Sequence, residues 1–596
     1  MLKLFRFLKP YWWQVIILLL ATALQVYTTL RLPALMANII NDGIIPGNTD
    51  YIWMTGLKMI GLTVVSAASS LVSSYFAARV GTNYARDIRT VVFTKIINYN
   101  LLDLKEFSTA SLLTRTTNDV NQVQMVTIMM LSMMIRSPLF LIISIIMAIQ
   151  TAPDMSWIIV VGSVAIVGSA ILIMSLVMPK FKIFQELIDK ITLITRENLT
   201  GLRVVRAFDN EKIEKNKFVK TNDKLTKLLI FIDKIIELQN PLVNIIFNGT
   251  TLLCSWIGIS LLTKDFAYLG NMTAFAQYVT FVMLSFLMMS MLFVTLPRAN
   301  VSAHRINAVL DKKTRINWRS ETSSKPDRIA SVEFKNVDFR YPEASEKVLD
   351  NVSFVAKAGE TTAFIGSTGS GKSTLINLVP RFYEATSGKV LINGIPIKEY
   401  EKKDLMRRIG YVPQRGILFA GTIKSNIKFG APNAPDATMR KSARIAQAEN
   451  FIEKLPEKYN SHVAQGGTNF SGGQKQRLSI ARAICKEPDI YIFDDAFSAL
   501  DMKTDEKLRA ALKEVSETAV VLIVAQRVST IKNAEQIVVL NNGQVVGKGE
   551  HFELLKNCKV YQEIVKSQLS EKEYAAELRQ AQTHKKTTKG AHHAKA

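Results

Sequence analysis

The chain has 596 residues, 48% of them hydrophobic, and a formal net charge of +24 at pH 7. This length exceeds what one hydrophobic core usually organises, so we expect at least two domains. The apolar content excludes an ordinary soluble protein, because nearly all the long uncharged runs lie before residue 300 and the later part has the texture of a globular domain.

Six uncharged runs in the first half have about the length needed to cross a bilayer. A helix needs about 20 residues to cross ~30 Å of hydrocarbon, and the third run meets this only with residues before Arg136. The basic segments 79–122 and 180–237 lie between runs, so the positive-inside rule places them, both termini and everything after Arg298 in the cytoplasm. We predict a six-span α-helical domain over 1–310 in the cytoplasmic membrane. The runs are 10–30, 59–78, 137–153, 155–179, 238–263 and 266–297.

The positive charge is also typical of nucleic-acid-binding proteins. Here much of it lies in segments that would face the anionic inner leaflet of the membrane. We therefore expect no nucleic-acid partner. The start "MLKLFRFLKPYWW" is typical of an amphipathic segment that lies on the membrane surface.

Two stretches between the spans have a helical pattern. Residues 109–124 and 197–218 alternate apolar and charged residues at helical spacing. They predict cytoplasmic coupling helices near 100–122 and 200–222 that project from the bilayer towards a partner domain. Solvated connectors are the alternative, but unstructured connectors of such length are uncommon.

The composition of the sequence changes after the last uncharged run. Residues 311–329 are polar, with Ser and Pro, and predict a linker. From residue 330, short β-branched runs alternate with helical stretches, which predicts an α/β domain over 330–568. The tail, 569–596, is basic and low in complexity, so we expect it to be disordered.

A phosphate-binding loop follows one of the predicted strands. The stretch "GSTGSGKST" matches G-x-x-x-x-G-K-[ST] and stands between the strand "TTAFI" and the helical "LINLV". Glycines let backbone N–H groups turn towards phosphates, Lys372 reaches the outer phosphates, and Ser373 offers its hydroxyl to Mg²⁺. The predicted nucleotide-binding residues are Gly366, Ser367, Thr368, Gly369, Ser370, Gly371, Lys372, Ser373 and Thr374.

Two aspartates end the buried run "IYIFDD" (490–495). Besides the hydroxyl of Ser373, the magnesium ion at a phosphate-binding loop needs a carboxylate ligand. Asp494, at the carboxyl end of a strand, supplies it. Asp495 comes next, where a general base would polarise the attacking water. We therefore assign Asp494 to the metal and Asp495 to catalysis.

A Gly-Gly turn opens a helix in "FSGGQKQRLSIARAI" (470–484). Together with the phosphate-binding loop, this stretch resembles the signature sequence of ATP-binding cassette (ABC) proteins. The membrane half, with "LLTRTTNDV", "GLRVVRAF" and "RINAVLD", is similar to the six-span exporters of that family, so the resemblance covers about residues 1–568. It implies an exporter half-transporter that hydrolyses ATP with Mg²⁺, since importers usually carry the two domains on separate chains.

The resemblance assigns further residues. It implies that Tyr341 stacks on adenine, that Gln414 meets Mg²⁺ together with Ser373 and Asp494, and that the "SALD" loop with Asp501 crosses to a partner. In this family two ATPase domains meet head to tail, so each nucleotide lies between one phosphate-binding loop and the other domain's signature. The signature residues, which would complete a partner's site, are Ser471, Gly472, Gly473 and Gln474.

The chain departs from the family's pattern in its own site. Gln526 follows the predicted strand "VLIVA" where the family carries a histidine, and Asp495 stands where catalytic sites usually carry glutamate. A misplacement of ~1 Å can cost about 10²-fold in rate. We expect tight ATP binding but slow hydrolysis at this degenerate site, within a heterodimer that contains a second, non-identical half-transporter. The alternative is that aspartate and glutamine suffice in an ordinary homodimer.

Methionine clusters in the spans bear on the substrate. The stretches "MVTIMMLSMMIR" (125–136) and "FLMMSML" (286–292) suit a cavity that repacks around apolar ligands, although lipid-facing and core methionines are also common. We predict export of multidrug or lipid-like amphiphiles. Peptide export and an ATP-gated channel or regulator are the alternatives.

One charged residue lies within a predicted span. Arg136 stands about 22 Å from the outer turn at residue 151, in the inner half of the bilayer. A charge there is costly and should face the bundle interior. It would contact either an anionic group of the substrate or an internal acidic partner.

Overall fold

The computed structural model describes residues 1–262, 268–320, 331–342 and 344–591. The chain divides into two compact units, the first made of Met1–Asn98 and Phe107–Lys313, the second of Tyr99–Glu106 and Thr314–Ala596. Part of the predicted linker and the last five residues of the tail lie outside the described residues. Each unit has its own hydrophobic core.

The first unit is helical, and in the described part of the chain six of its helices are long and apolar enough to cross a membrane. This confirms the prediction of six spans, which run Lys3–Ile44, Thr49–Ile97, Thr109–Thr151, Pro153–Thr200, Glu211–Ser260 and Leu269–Met289. The α-helices of this unit are described together with α3, which belongs to the second unit. In chain order they are α1 (Trp12–Asn38), α2 (Thr49–Ile97), α3 (Leu101–Glu106), α4 (Thr109–Thr116), α5 (Asn118–Met129), α6 (Ile135–Thr151), α7 (Trp157–Thr200), α8 (Leu202–Ala207), α9 (Glu211–Glu237), α10 (Gln239–Leu262) and α11 (Tyr268–Asp311).

Several of these helices are longer than a bilayer is thick. Helix α2 has 49 residues and α7 has 44, which at 1.5 Å per residue corresponds to about 74 Å and 66 Å. The hydrocarbon core is only ~30 Å thick, so these helices must extend well beyond it. The helical geometry also changes locally. Leu2–Tyr11 is a 3-10 helix, and Ile39–Ile44 and Met130–Met134 are π-helical turns.

Apolar side chains form both the interior and much of the exterior of the first unit. Phe140, Cys254 and Tyr278 are buried in one cluster. The hydroxyl of Tyr278 donates a hydrogen bond to the backbone oxygen of Leu30 at 3.0 Å, which satisfies a polar atom inside the bundle. By contrast, Trp53 is 81% exposed. Large apolar surfaces of this kind are unusual for soluble proteins and are suited to contact with lipid.

The second unit is an α/β domain, as predicted. Its main sheet has six strands in the order β12-β11-β3-β10-β9-β6, parallel from β11 to β6, with β12 antiparallel at one edge. An antiparallel sheet has the order β2-β1-β4-β5, and β7 pairs with β8. The strands are β1 (Ser331–Phe339), β2 (Leu349–Lys357), β3 (Thr361–Gly366), β4 (Ser387–Ile392), β5 (Ile395–Pro396), β6 (Ile409–Val412), β7 (Gly421–Thr422), β8 (His462–Val463), β9 (Ile490–Asp494), β10 (Val520–Val524), β11 (Gln536–Asn541) and β12 (Gln544–Gly549).

Strand composition explains this arrangement. All five residues of β9 and of β10 are buried, and uninterrupted apolar runs are typical of parallel strands that are covered on both faces. Val524 is in register with Asp494 on one side and with Phe364 on the other. The carboxyl ends of β3, β9 and β10 therefore lie at the same edge of the sheet, where ligands of open α/β sheets usually bind.

In the residues that the structure describes, the second unit also contains eleven α-helices from α12 onwards. One of them, α22, replaces the disordered tail expected from residue 569, and that expectation is wrong for Glu571–Ala591. Tyr574, Leu578 and Ala581 recur at helical spacing and pack against the core, and Glu577 forms an ion pair with Lys532. The helices are α12 (Lys372–Leu378), α13 (Lys402–Arg408), α14 (Ile423–Ile427), α15 (Asp436–Ile445), α16 (Glu449–Ile452), α17 (Gly472–Cys485), α18 (Met502–Ser516), α19 (Val528–Ile531), α20 (His551–Asn557), α21 (Lys559–Gln568) and α22 (Glu571–Ala591).

Candidate functional site

The loop between β3 and α12 folds around the side chain of Lys372. The ammonium group donates hydrogen bonds to the backbone oxygens of Gly366 at 2.8 Å and Ser367 at 2.7 Å. Burial lowers the pKa of Lys372, and the nearby carboxylates of Asp495 and Asp494 oppose that shift. A lysine held by two carbonyl oxygens is placed where it can exchange them for the oxygens of a bound phosphate.

Two glycines of this loop leave too little room for a side chain. A Cβ atom at Gly366 would lie 2.1 Å from the backbone oxygen of Leu540. Gly371 has a φ of +96°, which side-chain-bearing residues rarely adopt, and a Cβ there would lie 2.8 Å from the backbone oxygen of Val348. The glycine spacing in the sequence thus reflects close packing of the loop against its neighbours.

Ser373 and Asp494 meet beneath the loop. The Ser373 hydroxyl donates a hydrogen bond of 2.8 Å to Asp494 Oδ1. Asp494 is only 7% exposed, and burial raises its pKa, whereas the hydrogen bond from Ser373 opposes that rise. A hydroxyl and a carboxylate in contact can both approach one cation, because Mg²⁺ prefers such oxygen ligands.

The donor set fits Mg²⁺ bound together with a nucleotide. In the described part of the chain, no group of three or more His, Cys, Asp or Glu residues could hold a metal by itself. Magnesium is usually held by one or two carboxylates together with phosphates and water. Ser373, Asp494 and the amide oxygen of Gln414 are the groups that would hold it, and the ion would supply neutralisation of phosphate charge.

Asp495 lies at the centre of a small hydrogen-bond network. Its Oδ2 accepts hydrogen bonds from Nε2 of Gln526 at 2.9 Å and from Nε2 of Gln414 at 3.1 Å. Its backbone N–H donates to the oxygen of Val524 at 3.0 Å, and its φ is +48°, a conformation uncommon outside glycine. Burial raises the pKa of Asp495, and the hydrogen bond from Gln414 opposes this rise.

The loop that carries Gln526 is held by a residue that sequence reasoning missed. Gln568, the last residue of α21, donates from Nε2 to the backbone oxygen of Gln526 at 2.8 Å. Its Oε1 accepts from the backbone N–H of Val528, also at 2.8 Å. Gln568 is a polar helix residue far along the chain, with no motif around it, so no local signal could have identified it.

Tyr341 is placed beside the same loop. Its hydroxyl lies 3.1 Å from Oγ1 of Thr374. Its ring packs edge to face with that of Phe339 at a centroid distance of 4.9 Å, and with that of Tyr383 at 5.6 Å. An aromatic ring next to a phosphate-binding loop is suited to stacking on a nucleotide base, which is the role that the family resemblance implies for Tyr341.

The signature residues form a separate group, of which Ser471 and Gly472 are exposed and Gly473 and Gln474 are half-buried. Ser471 caps α17: its hydroxyl accepts from the N–H of Gln474 at 3.3 Å, and the Gln474 side chain accepts from the N–H of Ser471 at 2.9 Å. Asp501 caps α18 by accepting from the N–H of Thr504 at 2.9 Å. Across the residues that the structure describes, no hydrogen bond joins the signature to the phosphate-binding loop.

The predicted site residues thus fall into two sets. Hydrogen bonds link Ser373 to Asp494, and link Gln414 and Gln526 to Asp495, at the carboxyl edge of the main sheet. The signature and Asp501 lie at helix starts, where the side chains of Ser471 and Asp501 cap α17 and α18. The first set can hold and neutralise phosphate groups, and the second presents donors at the surface.

Comparison with known proteins agrees with this organisation. The ABC transporter family model matches residues 349–498, and the ABC transporter transmembrane region model matches residues 15–286. An uncharacterized ABC transporter ATP-binding protein of Mycobacterium tuberculosis is 36% identical over 567 residues, which cover 94% of this chain and 97% of the relative. A Rickettsia typhi protein whose name includes "export ATP-binding/permease protein" is 30% identical over 581 residues, covering 95% and 99%.

A solved structure shares the fold. A bacterial Atm1-family ABC exporter with ATP bound superposes with a TM-score of 0.78 at 23% identity and covers 94% of this chain and 98% of that one. The family models, taken together, span both units. The chain therefore belongs to the ABC transporter family, as an exporter half-transporter that joins a six-span membrane region and an ATPase domain on one polypeptide.

Proposed function

We propose that this chain is the slow-site subunit of a heterodimeric exporter of hydrophobic or amphiphilic compounds. It would act in the cytoplasmic membrane, with both termini in the cytoplasm and a second, non-identical half-transporter as its partner. The observation that carries the proposal is the network around Asp495, in which Gln414 and Gln526 both donate to one carboxylate oxygen.

Two properties of Asp495 and Gln526 predict slow hydrolysis at this site. A general base must reach the proton that it removes, and Asp495 is one methylene shorter than the glutamate usual in the family. A shortfall of ~1 Å costs about 10²-fold in rate. In addition, the glutamine amide at 526 neither gains nor loses a proton, so it cannot replace a histidine in any step that moves one.

The contacts of the phosphate-binding loop support nucleotide binding. Lys372, Ser373 and Asp494 keep the contacts that a phosphate-binding loop needs. Asp495 and Gln526 depart from the family's pattern, whereas the phosphate-binding loop keeps it. ATP bound at this site would favour the closed state of the dimer, while hydrolysis at the partner's site, completed by Ser471 and Gln474, would reset it.

The spans support an amphiphilic substrate. Met129, Met130 and Met133 are half-buried, and the helix is π-helical over Met130–Met134. Flexible thioethers suit a binding surface that repacks around varied apolar bodies. The second cluster, 286–292, lies partly outside the described side chains.

The test begins with the purified protein. Native mass spectrometry of the complex captured from membranes should show one copy of this chain with one copy of a different half-transporter. This chain alone should hydrolyse ATP slowly. Asp495→Glu combined with Gln526→His should accelerate it about 10²-fold. Lys372→Ala is the control, because it should remove the activity of the accelerated variant.

A second variant separates the two sites. Ser471→Ala should lower turnover by the heterodimer while ATP binding to this chain alone is unchanged. A homodimer that hydrolyses ATP briskly, without acceleration by the double substitution, would show that the site is not degenerate. Stimulation of the heterodimer by amphiphiles would support a pump, whereas ion currents with hydrolysis stalled would indicate an ATP-gated channel.

A further inference from the structure

Arg136 lies inside the third candidate span and faces other helices. It is the second residue of α6, one turn before Phe140, and its guanidinium carbon is 5.2 Å from the centre of the Phe140 ring. Phe140 is 6% exposed and packs against Phe281 of α11 at a centroid distance of 5.7 Å. Because residues four apart share one helix face, Arg136 lies on the side of α6 that faces the bundle.

The charge of Arg136 has no acidic partner in the described parts of the first unit. Ion pairs of this unit include Lys3–Asp311, Arg86–Asp87, Lys217–Glu214 and Arg305–Asp119, and Arg136 takes part in none of these. Nε of Arg136 is buried, and it donates a hydrogen bond to none of the residues that the structure describes. The sequence left two roles open for Arg136, a contact with an anionic substrate group or an internal salt bridge. The salt bridge is not observed among these residues.

A second polar atom on the same helix face also lacks a partner. Ser144 follows Phe140 by four residues and is fully buried, and its hydroxyl makes no hydrogen bond within the described part of the chain. Arg136, Phe140 and Ser144 therefore form a stripe along α6 with a cation at one end and a hydroxyl at the other. Unpaired charge at this depth is costly and is retained where it serves a ligand or an ion.

The chain next to this stripe is adaptable. The π-helical turn at Met130–Met134 directly precedes α6, and such turns occur frequently at functional sites. Its methionines can repack beside a ligand. A cation, an aromatic ring and thioethers together match a molecule that has an anionic head and an apolar body.

We propose that Arg136 binds the anionic headgroup of the transported amphiphile within the membrane, with the apolar body lying along Phe140 and the methionines of Met130–Met134. This inference rests on the proposed function and narrows the substrate class to amphiphiles that carry a carboxylate, phosphate or sulfate group. Arg136 is then a specificity-determining residue, and neutral molecules of the same shape bind more weakly.

The test uses photo-labelling of the full complex in lipid nanodiscs without nucleotide. The probe is a long-chain fatty acid with a diazirine in its chain, compared with the primary amide of the same acid at a pH where the acid is ionised. Mass spectrometry of peptides then measures labelling of α6 and the Met130–Met134 turn. The acid should label them about tenfold more than the amide, as expected for a charge-assisted hydrogen bond.

Three variants make the result specific. Arg136→Gln should remove the preference for the acid, and Arg136→Lys should keep most of it. Arg31→Gln is the matched control, because Arg31 also lies over an aromatic ring in a span, that of Tyr27 at 5.2 Å, but is exposed. Glycerol 3-phosphate in excess should not displace the acid, whereas displacement would indicate a site for free anions and overturn the proposal.

Several outcomes would refute the inference. They are equal labelling by acid and amide, no labelling of this region, or an acid preference that survives in Arg136→Gln. ATP binding by Arg136→Gln checks that the variant is folded, and Arg136→Lys gives a second reading if it is not. Since the assay contains no ATP, its failure is separate from failure of the slow-site proposal, which is decided by hydrolysis rates.

Discussion

Gln568→Ala tests whether the C-terminal helices position the loop of Gln526. The substitution removes two hydrogen bonds of 2.8 Å, one to the backbone oxygen of Gln526 and one from the backbone N–H of Val528. This loop matters for the site because it carries Gln526, whose side-chain amide donates a hydrogen bond to Asp495. Loss of both bonds should therefore let the loop open more often without unfolding the domain.

The size of the effect follows from the contacts. Each hydrogen bond contributes about 0.5–1.5 kcal/mol, and Gln568 is solvent-exposed, so the pair should contribute about 1–2 kcal/mol. At about 1.4 kcal/mol per factor of ten, local opening should increase about 5- to 30-fold. Amide hydrogen exchange measures such opening directly. We expect faster exchange by this factor in peptides that contain Gln526 and Val528.

Two control variants separate position from general damage. Gln562 lies on the same helix and donates to the backbone oxygens of Leu555 at 2.9 Å and Lys556 at 3.2 Å. Gln562→Ala should therefore raise exchange only near the end of α20. Gln568→Glu keeps the acceptor for Val528 but loses the donor to Gln526, so its effect should be intermediate. Exchange near Gln526 that stays within twofold of the unsubstituted protein in Gln568→Ala would refute the reasoning.

Three further predictions concern the ATPase domain. Lys372→Ala should weaken binding of a fluorescent ATP analogue about 10- to 100-fold, because a charge-assisted contact to phosphate is lost; unchanged affinity would contradict the assigned role. Gly366→Ala should destabilise the domain by about 1–3 kcal/mol in thermal melts, since its Cβ would lie 2.1 Å from the backbone oxygen of Leu540. His551 contacts Tyr561 at 2.7 Å and Glu577 at 3.3 Å, and Glu577 also pairs with Lys532. Burial lowers the pKa of His551 from its ordinary 6.5, although Glu577 opposes the shift. The unfolded chain then takes up the proton first, so stability should fall as the pH drops below about 6.5, and melts of His551→Gln should show a smaller fall.

Much of the architecture was predictable because it depends on local pattern. Long uncharged runs indicated six spans, and alternating β-branched and helical runs indicated the α/β domain. The tail was predicted wrongly because its average composition is basic, while Tyr574, Leu578 and Ala581 at helical spacing provide an apolar face that packs on the core. Composition describes a segment as a whole, whereas docking depends on which few residues share a face.

The candidate site residues could be named from the sequence, but their geometry could not. The spacing of glycines around Lys372 is a local requirement of a turn that wraps a phosphate, so it can be read in nine residues. The meeting of Gln414 and Gln526 at one oxygen of Asp495 was not visible in this way. These residues follow three different strands, and only the sheet order brings them together.

The sequence by itself determined the membrane spans, the α/β class and the phosphate-binding loop, because hydrophobic period, span length and glycine placement act over neighbouring residues. The tertiary structure alone decided that Gln568 holds the loop of Gln526, that Arg136 packs beside the ring of Phe140, and that Asp495 accepts from two amides. These are contacts between separate elements. Their free energy depends on packing and burial, which are properties of the folded chain.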